Sequence, residues 1–89
     1  MEEVKKRGWS HISIDILGSG LAPLSKTRLM YKSSLNFLRF KEYFDDFLQK
    51  GLLEEVENND GKNKLYVTSE RGKILLEALR QAEKIFAES

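Results

Sequence analysis

The sequence predicts a mainly helical α+β domain in the order helix, helix, helix, strand, strand, helix. Three observations carry this: an aromatic stripe at helical spacing from Phe37 to Leu48, a change to period two after Gly51, and an amphipathic stretch from Ile74 to Phe86. A chain of 89 residues has room for one domain, taken as residues 1–89, and excludes a large catalytic barrel or a doubly wound sheet. Forty per cent hydrophobic residues, with five Phe, three Tyr and one Trp, suffice for a packed core and argue against disorder.

The first helix falls within Met1 to Gly20. Trp9, Ile12 and Ile16 recur at helical spacing, although Ile12, Ile14 and Ile16 also alternate as a strand would. Ser19-Gly20-Leu21-Ala22-Pro23 is a connection, because Gly and Pro stop one element and reset the backbone. Ser25 can cap a short helix from Lys26 to Ser33 with Leu29 and Met30 inward. Asn36 is the N-cap expected for the third helix, whose stripe is Phe37, Phe40, Phe44, Phe47 and Leu48, and Gly51 ends it. Leu52 to Asn58 and Lys64 to Ser69 are the strands, making a hairpin over about 52–69, with an Asp-Gly pair in the Asn59-Asp60-Gly61 turn. Thr68 or Ser69 caps a last helix over about 69–88. Its stripes are Leu75, Leu79, Ala82 and Phe86, and beside them Ile74, Ala78 and Ile85.

Without cysteine there is no disulfide framework and no thiolate site. No apolar run approaches the ~20 residues of a membrane span, and Met1 to Arg7 lacks the apolar stretch of a secretory signal. A cytoplasmic protein without membrane contact is the expectation. The net charge of +1 hides a segregation along the chain. Leu24 to Lys41 carries +5, Glu42 to Asp60 carries −6, and Gly61 to Lys73 carries +3.

Three helices with a capped second and third, followed by a hairpin with a basic tip, are the plan of a winged helix-turn-helix. In that plan the third helix enters the major groove of double-stranded DNA and the hairpin touches backbone or minor groove. The expected phosphate anchors are Lys26, Arg28, Lys32, Lys41, Lys62 and Lys64, and the expected base readers are Asn36, Leu38 and Arg39. Arg39 can meet guanine O6 and N7 with its planar fork, and Leu38 can meet a thymine methyl. The acids beyond Lys41 are expected to point away from DNA. Cations near the starts of the second and third helices oppose the macrodipole at about 0.3–1 kcal/mol each when exposed, and a phosphate would reverse that cost.

The run Lys26-Thr27-Arg28-Leu29-Met30-Tyr31-Lys32, with Ser34-Leu35-Asn36 and Leu48-Gln49-Lys50-Gly51-Leu52-Leu53, resembles a family of small archaeal winged-helix DNA-binding proteins. The passage from Leu65 to Lys73, with its Thr-x-x-x-Gly pattern, resembles the same family. The resemblance covers about Ile12 to Leu79 and implies a homodimer, since members with a long C-terminal helix pair it as an antiparallel coiled coil. Here the interface would use Ile74, Ala78, Ile85 and Phe86. The last helix is shorter than in those members, so a local transcriptional regulator is as strong an expectation as an architectural role.

Other signals read as structural. At helical spacing among leucines, Phe37, Phe40, Phe44 and Phe47 are expected in the core rather than as a stacking platform. His11 has no Ser, Asp or metal partner at a recognisable spacing, and Glu54, Glu55, Glu57 and Asp60 lack calcium-loop spacing and read as an exposed strand face. Glu42 is expected to pair with Arg39. No catalytic residue, metal site or cofactor is expected, so an enzyme is not. The rival function is a protein-interaction module working through the acidic surface between Glu42 and Asp60.

Overall fold

In the computed structural model, which describes residues 8–88, the elements are α1 (Trp9–Ser19), α2 (Lys26–Ser33), α3 (Phe37–Gln49), β1 (Leu53–Glu57), β2 (Lys64–Thr68) and α4 (Glu70–Ala87). The sequence predicts this order. The Met1 to Arg7 stretch read against a secretory signal lies outside the described residues.

The helical reading of α1 prevails because Ile12, Ser13, Ile16 and Leu17 form one buried face, while Ile14 stays half-buried at its edge. That face packs on α2 and α4. At the far end of α1, Ser10 Oγ donates to Glu83 Oε2 at 2.6 Å, and His11 Nε2 lies 3.1 Å from Glu83 Oε1. Among the described residues the buried Ser13 Oγ finds no hydrogen-bond partner, at a cost of about 1–3 kcal/mol.

Helix α2 is capped by Ser25, whose hydroxyl accepts from the Arg28 N–H at 3.3 Å, and buries Leu29 and Ser33. It leads through Ser34, Leu35 and Asn36 into α3. Ser34 takes φ 59°, a left-handed conformation uncommon outside Gly and Asn, and that reversal swings α3 across α2. Asn36 Oδ1 accepts from the Arg39 N–H at 2.9 Å.

Phe40, Phe44 and Phe47 are buried, with Phe44 edge-on to Tyr66 of β2 at 4.9 Å. Phe37 departs from the expectation. It occupies the first position of α3, at the N-terminal end of the stripe, and is 56% exposed. Gly51 terminates α3 at φ 74° as expected.

The hairpin pairs Leu53 with Thr68 through Glu57 with Lys64 in antiparallel register. Leu24 adds a short third rung, exchanging backbone bonds with Tyr66 at 3.0 and 2.8 Å. The connection is wider than a two-residue turn. Asp60 organises residues 58–63 by accepting from the Lys62 and Asn63 N–H groups at 2.8 and 3.2 Å, with Gly61 at φ 69°. Glu54 points to the opposite face from Glu55 and Glu57, so the strand acids do not share one surface.

Ser69, rather than Thr68, caps α4, accepting from the Gly72 N–H at 2.9 Å. The buried stripe of α4 is Gly72, Leu76 and Leu79. It is rotated from the predicted Leu75, Leu79, Ala82 and Phe86, leaving Phe86 81% exposed. Gly72 sets that rotation. A Cβ at this position would sit 2.2 Å from the Leu52 carbonyl oxygen and 2.7 Å from the Thr68 methyl, so the first turn of α4 lies directly on backbone. Replacing Gly72 with Ala should therefore cost about 2–4 kcal/mol and lower Tm by more than about 10 °C in a circular dichroism melt; an unchanged Tm would show that the helix can back away freely.

Candidate nucleic-acid interface

The candidate surface is built from the outward side of α2, the first turn of α3 and the hairpin tip. Leu29 and Ser33 anchor α2 inward, so helical geometry turns Thr27, Arg28, Tyr31 and Lys32 outward, and all four are exposed. Tyr31 is 71% exposed and was not singled out by sequence reasoning. Its place between Arg28 and Lys32, opposite the Leu29 face, was the available signal.

On α3 the stripe opposite Phe40, Phe44 and Phe47 is Leu38, Glu42, Asp45 and Gln49, all exposed, with Leu38 at 72%. The expectation that acids beyond Lys41 point away from the reading face is corrected here: Glu42 and Asp45 continue the line that Leu38 begins. Only the first turn of α3 presents Asn36, Leu38 and Arg39 without a carboxylate on that line.

The seven expected cations divide by their company. Lys26 is half-buried with its ammonium 4.9 Å from the Phe44 ring centre, facing inward. Lys41 binds Asp45 at 2.7 Å along the helix, and Lys64 lies 3.9 Å from Glu55. Among the described residues, Arg28, Lys32, Arg39 and Lys62 form no ion pair. Arg39 rests over the Tyr43 ring at 5.9 Å instead of pairing with Glu42. No acid stands in the first turn of α1, α2 or α3, so the starts of α2 and α3 keep the positive end of the dipole uncompensated. Lys32 differs: α2 is short enough to place it in the last turn, where the dipole favours a cation.

Two cations of the third charge block have other work. Arg71 donates from Nε to the Lys50 carbonyl at 3.0 Å, closing the end of α3, and Lys73 lies 3.3 Å from Glu70. Among the described residues no group of His, Asp or Glu side chains could hold a metal ion, and no helix is long and apolar enough to cross a membrane.

The exposed side of α4 carries Ile74, Ala78 and Ile85 at helical spacing, the first 71% exposed, flanked by Ala82 and Phe86. These are the residues expected at a dimer interface, and the single chain leaves them uncovered.

The winged helix-turn-helix family model matches residues 6–86, and the chain belongs to that family. A similar solved structure is Sso10a-2, a DNA-binding protein from Sulfolobus solfataricus, with TM-score 0.80 and 29% identity over 92% of this chain and 84% of that one. The small archaeal family resembled in sequence is thus matched in structure. A probable transcriptional regulator from Pseudomonas aeruginosa matches at TM-score 0.69 and 22% identity over 89% of this chain and 60% of that one. The PcaV transcriptional regulator from Streptomyces coelicolor, solved with its natural ligand, matches at 0.63 and 17% over 94% and 63%. These last two likenesses carry the fold alone. No curated protein matches the chain in sequence.

The hairpin tip has its own titration. Hydrogen bonds from the Lys62 and Asn63 backbone N–H groups hold the Asp60 carboxyl below the ordinary carboxylate range. A depressed folded value means that the order it supplies is complete above the ordinary carboxylate pKa and is lost as pH falls through the lowered one. Amide resonances of Lys62 and Asn63 should therefore shift with an apparent pKa below that of a free carboxylate; a midpoint at or above the free value would show that the turn is not held by this group.

Proposed function

We propose that the chain binds double-stranded DNA as a homodimer, acting as a transcriptional regulator or architectural protein of the cytoplasm. The observation that carries this reading is the set of exposed cations, Arg28, Lys32, Arg39 and Lys62, that form no ion pair among the described residues and stand on α2, the start of α3 and the hairpin tip of a winged helix. The DNA-binding description of Sso10a-2 supports it.

The mechanism follows from the charges. Phosphates meet Arg28 at the start of α2, Lys32 at its end and Lys62 on the hairpin, with bare N–H groups and the dipole adding to the attraction at each helix start. Lys41 and Lys64 join by exchanging exposed carboxylate partners for phosphate, a small cost because such surface pairs contribute roughly 0–1 kcal/mol. Lys26 supports the site from Phe44 and is the anchor with the most to give up. Asn36, Leu38 and Arg39 read bases from the first turn of α3. Glu42 and Asp45 further along that line require α3 to enter the groove end-first, since lying flat would press both carboxylates against the anionic walls. The dimer forms through Ile74, Ala78, Ile85 and Phe86, covering an apolar strip that a monomer leaves in water.

That acidic line is also the one observation favouring the second reading, a protein-interaction module using the Glu42 to Asp60 surface. Salt separates the two. With about six phosphates neutralised per protomer, log affinity for duplex DNA should fall against log salt with a slope near −5 per protomer bound, roughly twice that for the dimer, whereas a flat titration favours the protein partner.

Two variants sharpen the test. Arg28→Gln should reduce the slope by about 1 per protomer while leaving Tm equal or slightly higher, because it removes a cation from a helix start. Lys32→Gln should reduce the slope equally but lower Tm slightly, and a marked loss of stability in either would assign the residue to the fold. For the dimer, Ile85→Glu should give a monomer by mass in solution, and a persisting dimer would move the interface elsewhere.

A further inference from the structure

The α2–α3 surface contains a feature that duplex binding does not use. Phe37, placed in the core by its spacing from Phe40, is instead an exposed wall of a cleft lined by Lys26, Thr27, Met30, Phe37 and Phe40. The cleft holds about 140 Å³. An apolar cavity of about 150 Å³ accepts benzene, so the space suits one six-membered ring and is tight for a fused pair. Its accessible wall is the Phe37 ring, with the Met30 thioether beside it and the buried Phe40 beneath, while the exposed Thr27 hydroxyl can donate to a ring carbonyl oxygen. Arg28 adjoins Thr27, and Lys41 stands one turn beyond Phe37, so cations border the cleft on both helices.

The base of a paired B-form strand cannot enter such a cleft, because its faces are covered by neighbours in the stack. A single strand has no such restriction, and the acidic line from Glu42 to Asp45 already confines contact to this end of α3. We propose that the cleft between α2 and α3 takes an unpaired pyrimidine base of single-stranded DNA, stacked on Phe37, with flanking phosphates on Arg28 and Lys41. This rests on the reading of that surface as DNA-binding and adds a second form of the same ligand, such as a melted or gapped segment.

The test is fluorescence anisotropy with labelled oligothymidylate and, separately, a labelled duplex of the same length, using the full chain and two variants. Phe37→Ala should weaken oligothymidylate binding roughly five- to hundredfold, the loss of one base stack, with little effect on the duplex. Phe37→Leu, which keeps apolar bulk but has no ring face, should lose most of the same affinity. Because Phe37 is exposed, both variants should melt as the parent does. Unchanged oligothymidylate affinity in Phe37→Ala, or equal loss for both DNA forms, overturns the inference. Duplex binding by the parent without any oligothymidylate binding overturns it too, yet leaves the duplex reading standing. Failure of the parent to bind either form overturns both.

Discussion

The five residues from Thr68 to Gly72 close the carbonyl ends of two helices at once, and the rest of the fold hangs from that junction. Thr68 Oγ1 donates to the Leu17 carbonyl at 2.7 Å and the Thr68 N–H to Gly20 at 2.7 Å, finishing α1. Ser69 Oγ donates to the Gly51 carbonyl at 2.6 Å, the Ser69 N–H to Leu52 at 3.0 Å, and Arg71 reaches Lys50, finishing α3. Carbonyls at helix ends lack intrahelical partners, and burying them unpaired would cost far more than a net hydrogen bond contributes. Gly72 completes the arrangement by admitting the Leu52 backbone where any side chain would stand. The Thr-x-x-x-Gly pattern is therefore a packing requirement: a donor that caps α1, a cap for α4 and a position without a Cβ.

This junction also explains how a small domain can leave its working surface unsupported. With α1, α3 and α4 tied together on one side, α2 and the first turn of α3 are held by Leu29, Phe40 and Phe44 and by the Leu24 rung on β2. Their outer sides carry no structural duty. Cations placed there weaken two helix starts by about 0.3–1 kcal/mol each. A helix start with aligned N–H groups, a dipole and a guanidinium is poorly arranged for an isolated protein and well arranged for a phosphate.

The acids on the outward line of α3 restrain the same surface. They make the end of the helix more favourable than its side for an anionic ligand. The exposed Ile74, Ala78 and Ile85 strip on α4 shares no residue with these cations, so the dimer and the DNA contact proposed above would not compete for the same side chains.

The caps Ser25 and Asn36, the Gly51 stop, the period change into the hairpin and the order of all six elements were legible in the linear chain, because each depends on residues within a turn of one another. The clustering of cations in two blocks was legible for the same reason. What the linear chain could not settle was which side of an amphipathic stripe would be covered. Phe37 shares its spacing with three buried phenylalanines but borders the cleft between α2 and α3 instead of filling the core, and Leu76 replaces Leu75 inside because Gly72 turns α4 against the Leu52 backbone twenty residues earlier in the chain. The left-handed turn at Ser34 carried no glycine to announce it. Nor could spacing reveal that Lys26 would fold back over Phe44, although the Lys41–Asp45 pair, four apart on one helix, was open to it. Periodicity, capping and pairing along a helix are local and were written in the sequence; burial and contacts between elements depend on what another segment brings near, and only the packed chain decides that.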